Sequence, residues 1–275
     1  VRAVQFFSPG LRDFLRGHVW EDGERVAGFT QFSRRGTTDT WLISAVGVHP
    51  DFRRQGIAAE LVKAAIDFVR ARGGKRIILD VIEGNVPALN LYMKLGFENF
   101  SANLETHLTL ESAPASVPLP AGYVLEPMDD YAWQDRYTLM QRITPQTVIR
   151  YDPIEEGRYK KPTFARLLFP ILKRAEGMQV HRFLIHDRNG QVVAIVMYDT
   201  RTRESGRNTI DASLDPAHPA LAPFVIDHVL HQITCANPGR TVEFNIPAWQ
   251  EALAGAAQQA GFKTRVRLLT FGLLV

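Results

Sequence analysis

The stretch "VGVHPDFRRQGIAAELVKAAIDFV", Val46–Val69, opens on a β-like run, passes two arginines, a glutamine and a glycine, and ends as a helix. Ile57, Leu61, Val62, Ala65, Ile66 and Val69 recur at helical spacing and mark its buried stripe. The first turn of a helix holds backbone N–H groups without intrahelical partners, and the aligned peptide dipoles add about half a positive charge there. A phosphate is the natural occupant of such a corner. Gly56 lets the main chain approach a bulky anion, and Ile57, Ala58 and Ala59 begin the helix with the small Ala58 keeping the turn open. Arg53, Arg54 and Gln55 add donors, the arginines with charge and a forked geometry. Arg-Arg ahead of a helix is also what an ordinary solvated corner looks like.

Working outward, "RGHVWEDGERVAGFTQFS" and "TWLISAVGVHP" read as strands broken at Asp22-Gly23 and at Arg34-Arg35-Gly36. The helix stops at Gly73-Gly74; the strand "KRIILDVI", the short helix "PALNLYMKLG" and the strands "FENF" and "ETHLTL" follow. "ESAPASVPLPAG", Glu111–Gly122, is rich in Pro, Ala and Ser and reads as a linker. Beyond it the order returns. "YVLEPM" is a strand, "YAWQDRYTLMQRI" and "TFARLLFPILKRA" are helices, and "HRFLIHDRNGQVVAIVMYDT" is a hairpin turning at Asn189-Gly190. "NTIDASLDP", the helix "PFVIDHVLHQI", the strand "TVEFNI", the helix "WQEALAGAAQQAG" and closing strands complete the copy. "YMKLGF" and "QQAGF" fall at the same place in the two series, which reads as a duplication. The first half has no counterpart of the opening strand and helix that follow the linker.

The length of 275 residues suits two domains, each able to bury a core without a metal or disulfide staple. We expect an α/β (α+β) chain with domains at 1–111 and 122–275 joined by 112–121. A single cysteine excludes an internal disulfide and fits a reducing, cytoplasmic setting. Cys235 sits at a helix end, where a packed thiol is expected. The net charge of +3 is too small for a nucleic-acid footprint. No apolar run approaches the roughly 20 residues of a membrane span, and nothing near Val1 resembles a signal peptide. A monomer or homodimer is expected.

Arg53-x-x-Gly56-x-Ala58 after "VGVHPDF" resembles the acyl-CoA signature of the GNAT (Gcn5-related) N-acetyltransferases. The family's second block stands here too, as Asn85 followed by "PALNLYMKLGF", with one helix and one strand between the blocks as the family requires. The close match spans Ser44 to Phe97. The resemblance implies tandem domains, each with a mixed, mostly antiparallel central sheet flanked by helices. It also implies acetyl-CoA as acetyl donor and a small-molecule or peptide amine as acceptor.

Direct transfer to an amine, as that family performs it, makes three demands. An alkyl ammonium of pKa about 10.4 must lose a proton, the carbonyl oxygen needs donors, and a thiolate of pKa about 8.5 leaves more easily when protonated. Tyr92 matches the family's thiolate-protonating tyrosine, though a core aromatic would read the same way. Asn85 matches a position that steadies the pantetheine arm, or simply caps the helix that follows. The run "SAVGV" corresponds to the family's splayed strand, whose free backbone groups at Val46, Gly47 and Val48 would pair with the pantetheine. No carboxylate lies in "WLISAVGV". Asp80, 12 residues before Tyr92, is the substitute base, expected to be activated by burial; a strand-end aspartate bonded to backbone is the bland alternative. Glu83, His18 and His107 are weaker candidates.

With Gly96-Phe97 set on Gly261-Phe262, Tyr92 falls on Ala257, Asp80 on Asn245 and Asn85 on Gln250. The loop "AHPALAP" has neither arginine nor glycine, and Pro219 and Pro223 have no N–H to give a phosphate. The second copy therefore reads as degenerate. The charged tract Glu155–Leu168 reads as a solvated helix start. His181, His186, His218, His228 and His231 show no metal spacing, and none is expected. The leading reading is an N-acetyltransferase with one working N-terminal site. A non-catalytic acetyl-CoA sensor and a mycothiol synthase-like acyltransferase, in which the other copy is the active one, are the alternatives.

Overall fold

The computed structural model describes residues 16–129, 132–160, 177–203 and 206–275. The expected helix "TFARLLFPILKRA" lies outside the described residues. The chain forms two compact units, and neither is a continuous stretch of sequence. The first is Val1–Ser101, Gln146–Arg158 and Leu268–Val275; the second is Ala102–Pro145 and Tyr159–Arg267. These units differ from a division at 1–111 and 122–275 by their exchanged ends and by Gln146–Arg158.

The first unit opens on the hairpin of β1 (Arg16–Asp22) and β2 (Arg25–Arg34), turned at Gly23. β3 (Thr40–Val48), α1 (Ile57–Ala71), β4 (Arg76–Ile82) and α2 (Val86–Lys94) follow, and then β5 begins (Glu98–Thr109). The second unit holds β6 (Val124–Pro127) and α3 (Trp133–Ile143), and after them come the helical turns α4 (Gln146–Ile149) and α5 (Glu156–Tyr159). It continues with the hairpin of β7 (Met178–His186) and β8 (Val192–Arg201), then β9 (Asn208–Leu214) and α6 (Ala222–Ala236). β10 (Thr241–Pro247), α7 (Glu251–Gln259) and β11 (Lys263–Leu274) close the chain. Residues 112–122 form neither helix nor strand, as a linker should.

The duplication is visible residue by residue. A constant offset of 165 carries Ile57–Ala71 onto Ala222–Ala236, Arg76–Ile82 onto Thr241–Pro247, Val86–Lys94 onto Glu251–Gln259, and Glu98–Thr109 onto Lys263–Leu274. The lengths differ only upstream of α1, in the opening hairpin and in β3 and its loop, where the anion corner lies.

Each copy lends its last strand to the other copy's unit. In the first unit the order is β1-β2-β3-β4-β11, and β4 pairs antiparallel with the C-terminal part of β11, from Leu268↔Ile82 to Leu274↔Arg76. In the second the order is β5-β10-β9-β8-β7-β6, and β10 takes β5, from Thr241↔Thr109 to Pro247↔Asn103. Alternation along β11 puts Phe271 into the first unit's core with Phe32, Trp41, Val62, Leu79, Tyr92 and Phe97. A fully buried phenylalanine contributes about 1.5–3 kcal/mol, so this strand is a substantial part of that unit's stability. Gln146–Arg158 belongs to the first unit as well. Tyr151 lies on Gly272 and stacks on Phe100 at 5.0 Å, and Arg76 pairs with Glu155 at 3.4 Å.

Two expectations are corrected. "FENF" and "ETHLTL" are joined in one twelve-residue strand, Glu98–Thr109, because Ser101, Ala102, Asn103 and Leu104 between them continue in extended conformation and Ala102 is buried. Cys235 is exposed rather than packed, since it falls on the outer side of the last turn of α6, beside His231 at 3.7 Å.

Candidate active site

β3 and β4 run parallel but pair only from Thr40↔Arg76 to Ile43↔Leu79. Beyond Ile43 the β2–β3 ladder shifts register, Phe32 facing Ile43 and Gln31 facing Ala45, so Ser44 is the extra residue of a bulge. A bulge bends its strand. Residues 45–48 stay paired to β2 while β4 no longer matches them, so their other edge faces no strand. The expected splay is present.

The corner after β3 is built from left-handed residues. A single 3-10 turn, Pro50–Phe52, is capped by His49, whose Nδ1 accepts from the Asp51 N–H at 3.4 Å. Arg54 then takes φ +62 and Gly56 φ +82 at the cap of α1. The first helical bond is Glu60 N–H to Gly56 O at 3.2 Å, so the N–H groups of Ile57, Ala58 and Ala59 precede any intrahelical bond. No atom lies within 4 Å of where a Gly56 side chain would begin. That open space is what an anion cradle requires. Arg53 turns back, its Nε donating to Val48 O at 3.2 Å.

These elements line one cleft of about 1040 Å³. Val46, Gly47 and Val48 form one wall; Arg53, Arg54, Gly56, Ile57, Ala58 and Ala59 form its head; Asn85 and Tyr92 form the other wall. Gln55 alone among the expected cofactor residues does not line it, because its amide points at Asp51 O, 3.5 Å away. Leu91, Ala88 and Phe52 join the lining without having been singled out from sequence. Their signal was available for Leu91, one residue before Tyr92 on the same short helix. Asp51 also lines the head, and Arg25 offsets its charge at 3.4 Å. A groove of this size, with an apolar wall and backbone donors at one end, has the form of a binding site for an elongated ligand carrying phosphates.

Asn85 caps α2, its Oδ1 accepting from Ala88 N–H at 3.3 Å, and still faces the cleft. Tyr92 is 7% exposed, packs edge-on against Phe97, and turns toward the cleft. Burial pushes its phenol above the usual tyrosine value, so the hydroxyl keeps its proton at neutral pH. Asp80 departs from expectation. Leu79 and Val81 are buried under the helices while Asp80 faces the opposite side of the sheet and is exposed, so burial is not what would activate it. Thr270 Oγ1 donates to its Oδ1 at 2.7 Å. Glu83 is exposed, and the Nδ1 atoms of His18 and His107 are buried without partners. Among the described residues no group of His, Cys, Asp or Glu has the arrangement of a metal site. No described helix is long and apolar enough to cross a membrane.

The second unit has lost the same features for local reasons. The β8–β9 ladder runs from Ala194↔Leu214 to Tyr198↔Ile210 without a register shift. β9 pairs with β10 only as far as Ile210, and Gln250, at the place of Asn85, accepts from Leu214 N–H at 3.2 Å at the end of that edge. Leu221 and Ala222 are buried where the cradle would open, and Pro223 removes a donor.

Residues 4–97 match the model of the Acetyltransferase (GNAT) family. Mycothiol acetyltransferase of Corynebacterium glutamicum is 36% identical over 79 residues, 29% of this chain and 26% of that protein. N-alpha-acetyltransferase 30 of Schizosaccharomyces pombe is 34% identical over 79 residues, 28% of this chain and 53% of that one. The matched part thus spans about a quarter to a half of these relatives. Among solved structures, a tandem GNAT protein from the clavulanic acid biosynthesis pathway shares the fold over 99% of this chain and 86% of its own, with TM-score 0.63 at 18% identity. A GCN5-related N-acetyltransferase from Sphaerobacter thermophilus superposes with TM-score 0.64 over 91% of this chain and 77% of its own, at 14% identity. Residues 4–97, with their splayed strand and cradle, thus belong to the GNAT acetyltransferase family, and the duplicated scaffold as a whole shares the fold of a tandem GNAT protein.

Proposed function

We propose that the chain is an acetyl-CoA-dependent N-acetyltransferase whose first unit carries the working site and whose second is scaffold. One observation carries this reading: the free edge of β3, the left-handed corner at Gly56 and Tyr92 line a single cleft, and the second unit has neither the left-handed corner nor the tyrosine. The acceptor is a primary amine on a small molecule or peptide.

The residues divide the work as follows. The N–H groups of Ile57, Ala58 and Ala59 hold the diphosphate, and the edge of Val46–Val48 pairs with the pantetheine and orients the thioester. Asp80 takes one proton from the acceptor ammonium, directly or through a water. The amine nitrogen forms a bond to the acetyl carbon, the carbon–sulfur bond breaks, and Tyr92 gives its proton to the departing sulfur. The second nitrogen proton restores Tyr92. Amide, coenzyme A thiol and one proton leave.

Tyr92→Phe keeps the ring packing on Phe97 and removes the acid. Its turnover, followed by thiol release across an amine panel, is expected to fall about 100-fold with coenzyme A affinity unchanged. Unchanged turnover would remove Tyr92 from the reaction. A second reading, an acetyl-CoA sensor, draws on the exposure of Asp80 and on a cleft whose carboxylate, Asp51, is already offset by Arg25. Tight coenzyme A binding with no thiol release from any amine would favour it.

A further inference from the structure

The β4–β11 register sets Asp80 directly opposite Thr270, both on the sheet face away from α1 and α2. Thr270 is 8% exposed, and its hydroxyl donates to Asp80 Oδ1 at 2.7 Å. Its carbonyl accepts from Asn99 Nδ2 at 3.1 Å, and the same amide group donates to Ser101 O at 3.0 Å, which fixes the strand locally. On one side of the pair the next residues are Ile78 and Gly272, closed over by the buried ring of Tyr151. On the other side are Leu268 and Ile82, and Ile82 is 53% exposed. One carboxylate oxygen is therefore tethered against a closed wall, and the open side lies toward Ile82. A β-branched threonine has few χ1 choices, so the tether is stiff.

We propose that Thr270 is a positioning residue for Asp80, which makes the last strand of the chain a working part of the first unit's reaction site. The proposal rests on the reading of Asp80 as the group that accepts the acceptor's proton. A carboxylate on a bare strand samples several rotamers; one held by a buried hydroxyl keeps its second oxygen where an ammonium arrives, and productive encounters rise accordingly.

The test combines Thr270→Val, which keeps the branched shape and deletes the hydroxyl, with Thr270→Ser and Asp80→Asn. Turnover of Thr270→Val is expected to fall about tenfold, the size of one hydrogen bond to a charged group, with the KM for acetyl-CoA unchanged. Thr270→Ser is expected to restore turnover to within about threefold. In the Asp80→Asn background Thr270→Val is expected to add nothing, because the two residues act as one unit. A purely structural threonine would give the opposite cycle, an equal loss in both backgrounds, and that result overturns the proposal. So does wild-type turnover in Thr270→Val. Wild-type turnover in Asp80→Asn removes the base and the positioning role together while leaving the transferase reading intact. A wild-type protein that releases no thiol with any amine overturns the transferase reading itself, and the positioning role with it.

Discussion

Gly56 separates two ways of losing the anion corner. Its φ of +82 lies where an L side chain is strained, yet nothing stands within 4 Å of the position a Cβ would take. Gly56→Ala therefore costs backbone strain of about 1–2 kcal/mol and leaves the cradle open. Gly56→Glu adds a carboxylate at the proposed phosphate cradle, and like charges at contact distance are expected to abolish binding. Calorimetric titration with coenzyme A is expected to show nearly native affinity for the alanine variant and none for the glutamate variant. Pro219→Ala, at the equivalent corner of the second unit, is expected to leave affinity unchanged; retained binding in Gly56→Glu would count against the cradle. The corner at Gly56, the cap at Asn85 and the place of Tyr92 in the cleft were legible in sequence because each follows from residues within one turn of itself. Asp80 was legible as a candidate, but its exposure and its tether were not. The hydroxyl that holds it lies 190 residues away, and no local pattern announces that partner.

At the scale of elements, helices and the long strands followed from periodicity, but two glycines show what periodicity leaves out. Gly272 in β11 looks like any strand glycine, yet an added Cβ would lie 2.3 Å from the ring of Tyr151. Gly255 sits inside α7 with nothing within 4 Å. Gly272→Ala is thus expected to destabilise the protein by about 1–3 kcal/mol through overpacking. Gly255→Ala is expected to stabilise by about 0.5–1 kcal/mol, because alanine loses less backbone freedom in a helix interior. Urea unfolding of the two variants checks both signs, and a neutral Gly272→Ala would mean that Tyr151 is free to move off the strand. In β5 the polar residues Ser101, Asn103, Glu105 and His107 alternate with Phe100, Ala102, Leu104 and Leu108 through the whole run, so the two pieces belong to one strand, whose second half the ladder to β10 holds.

For the whole molecule the echo between halves was legible and the exchange of strands was not. β5 and β11 occupy equivalent places 165 residues apart and meet β10 and β4 in the same relative register. Equivalent strands in equivalent registers leave the sequence no way to say which copy owns which strand. The consequence is physical: residues 1–111, although they contain every expected cofactor-binding residue, lack Tyr151, Thr270 and Phe271. Without them the first unit loses a core phenylalanine, the cover of its second sheet face and an edge partner for β4. An unpaired β4 exposes a row of backbone groups and invites aggregation. A fragment ending at Glu111 is therefore expected to bind no coenzyme A by itself, and to regain binding when residues 112–275 are supplied in trans and return β11 to its place. Native affinity in the isolated fragment would show that the cleft forms without the last strand, and would restore the contiguous domains that the sequence suggests.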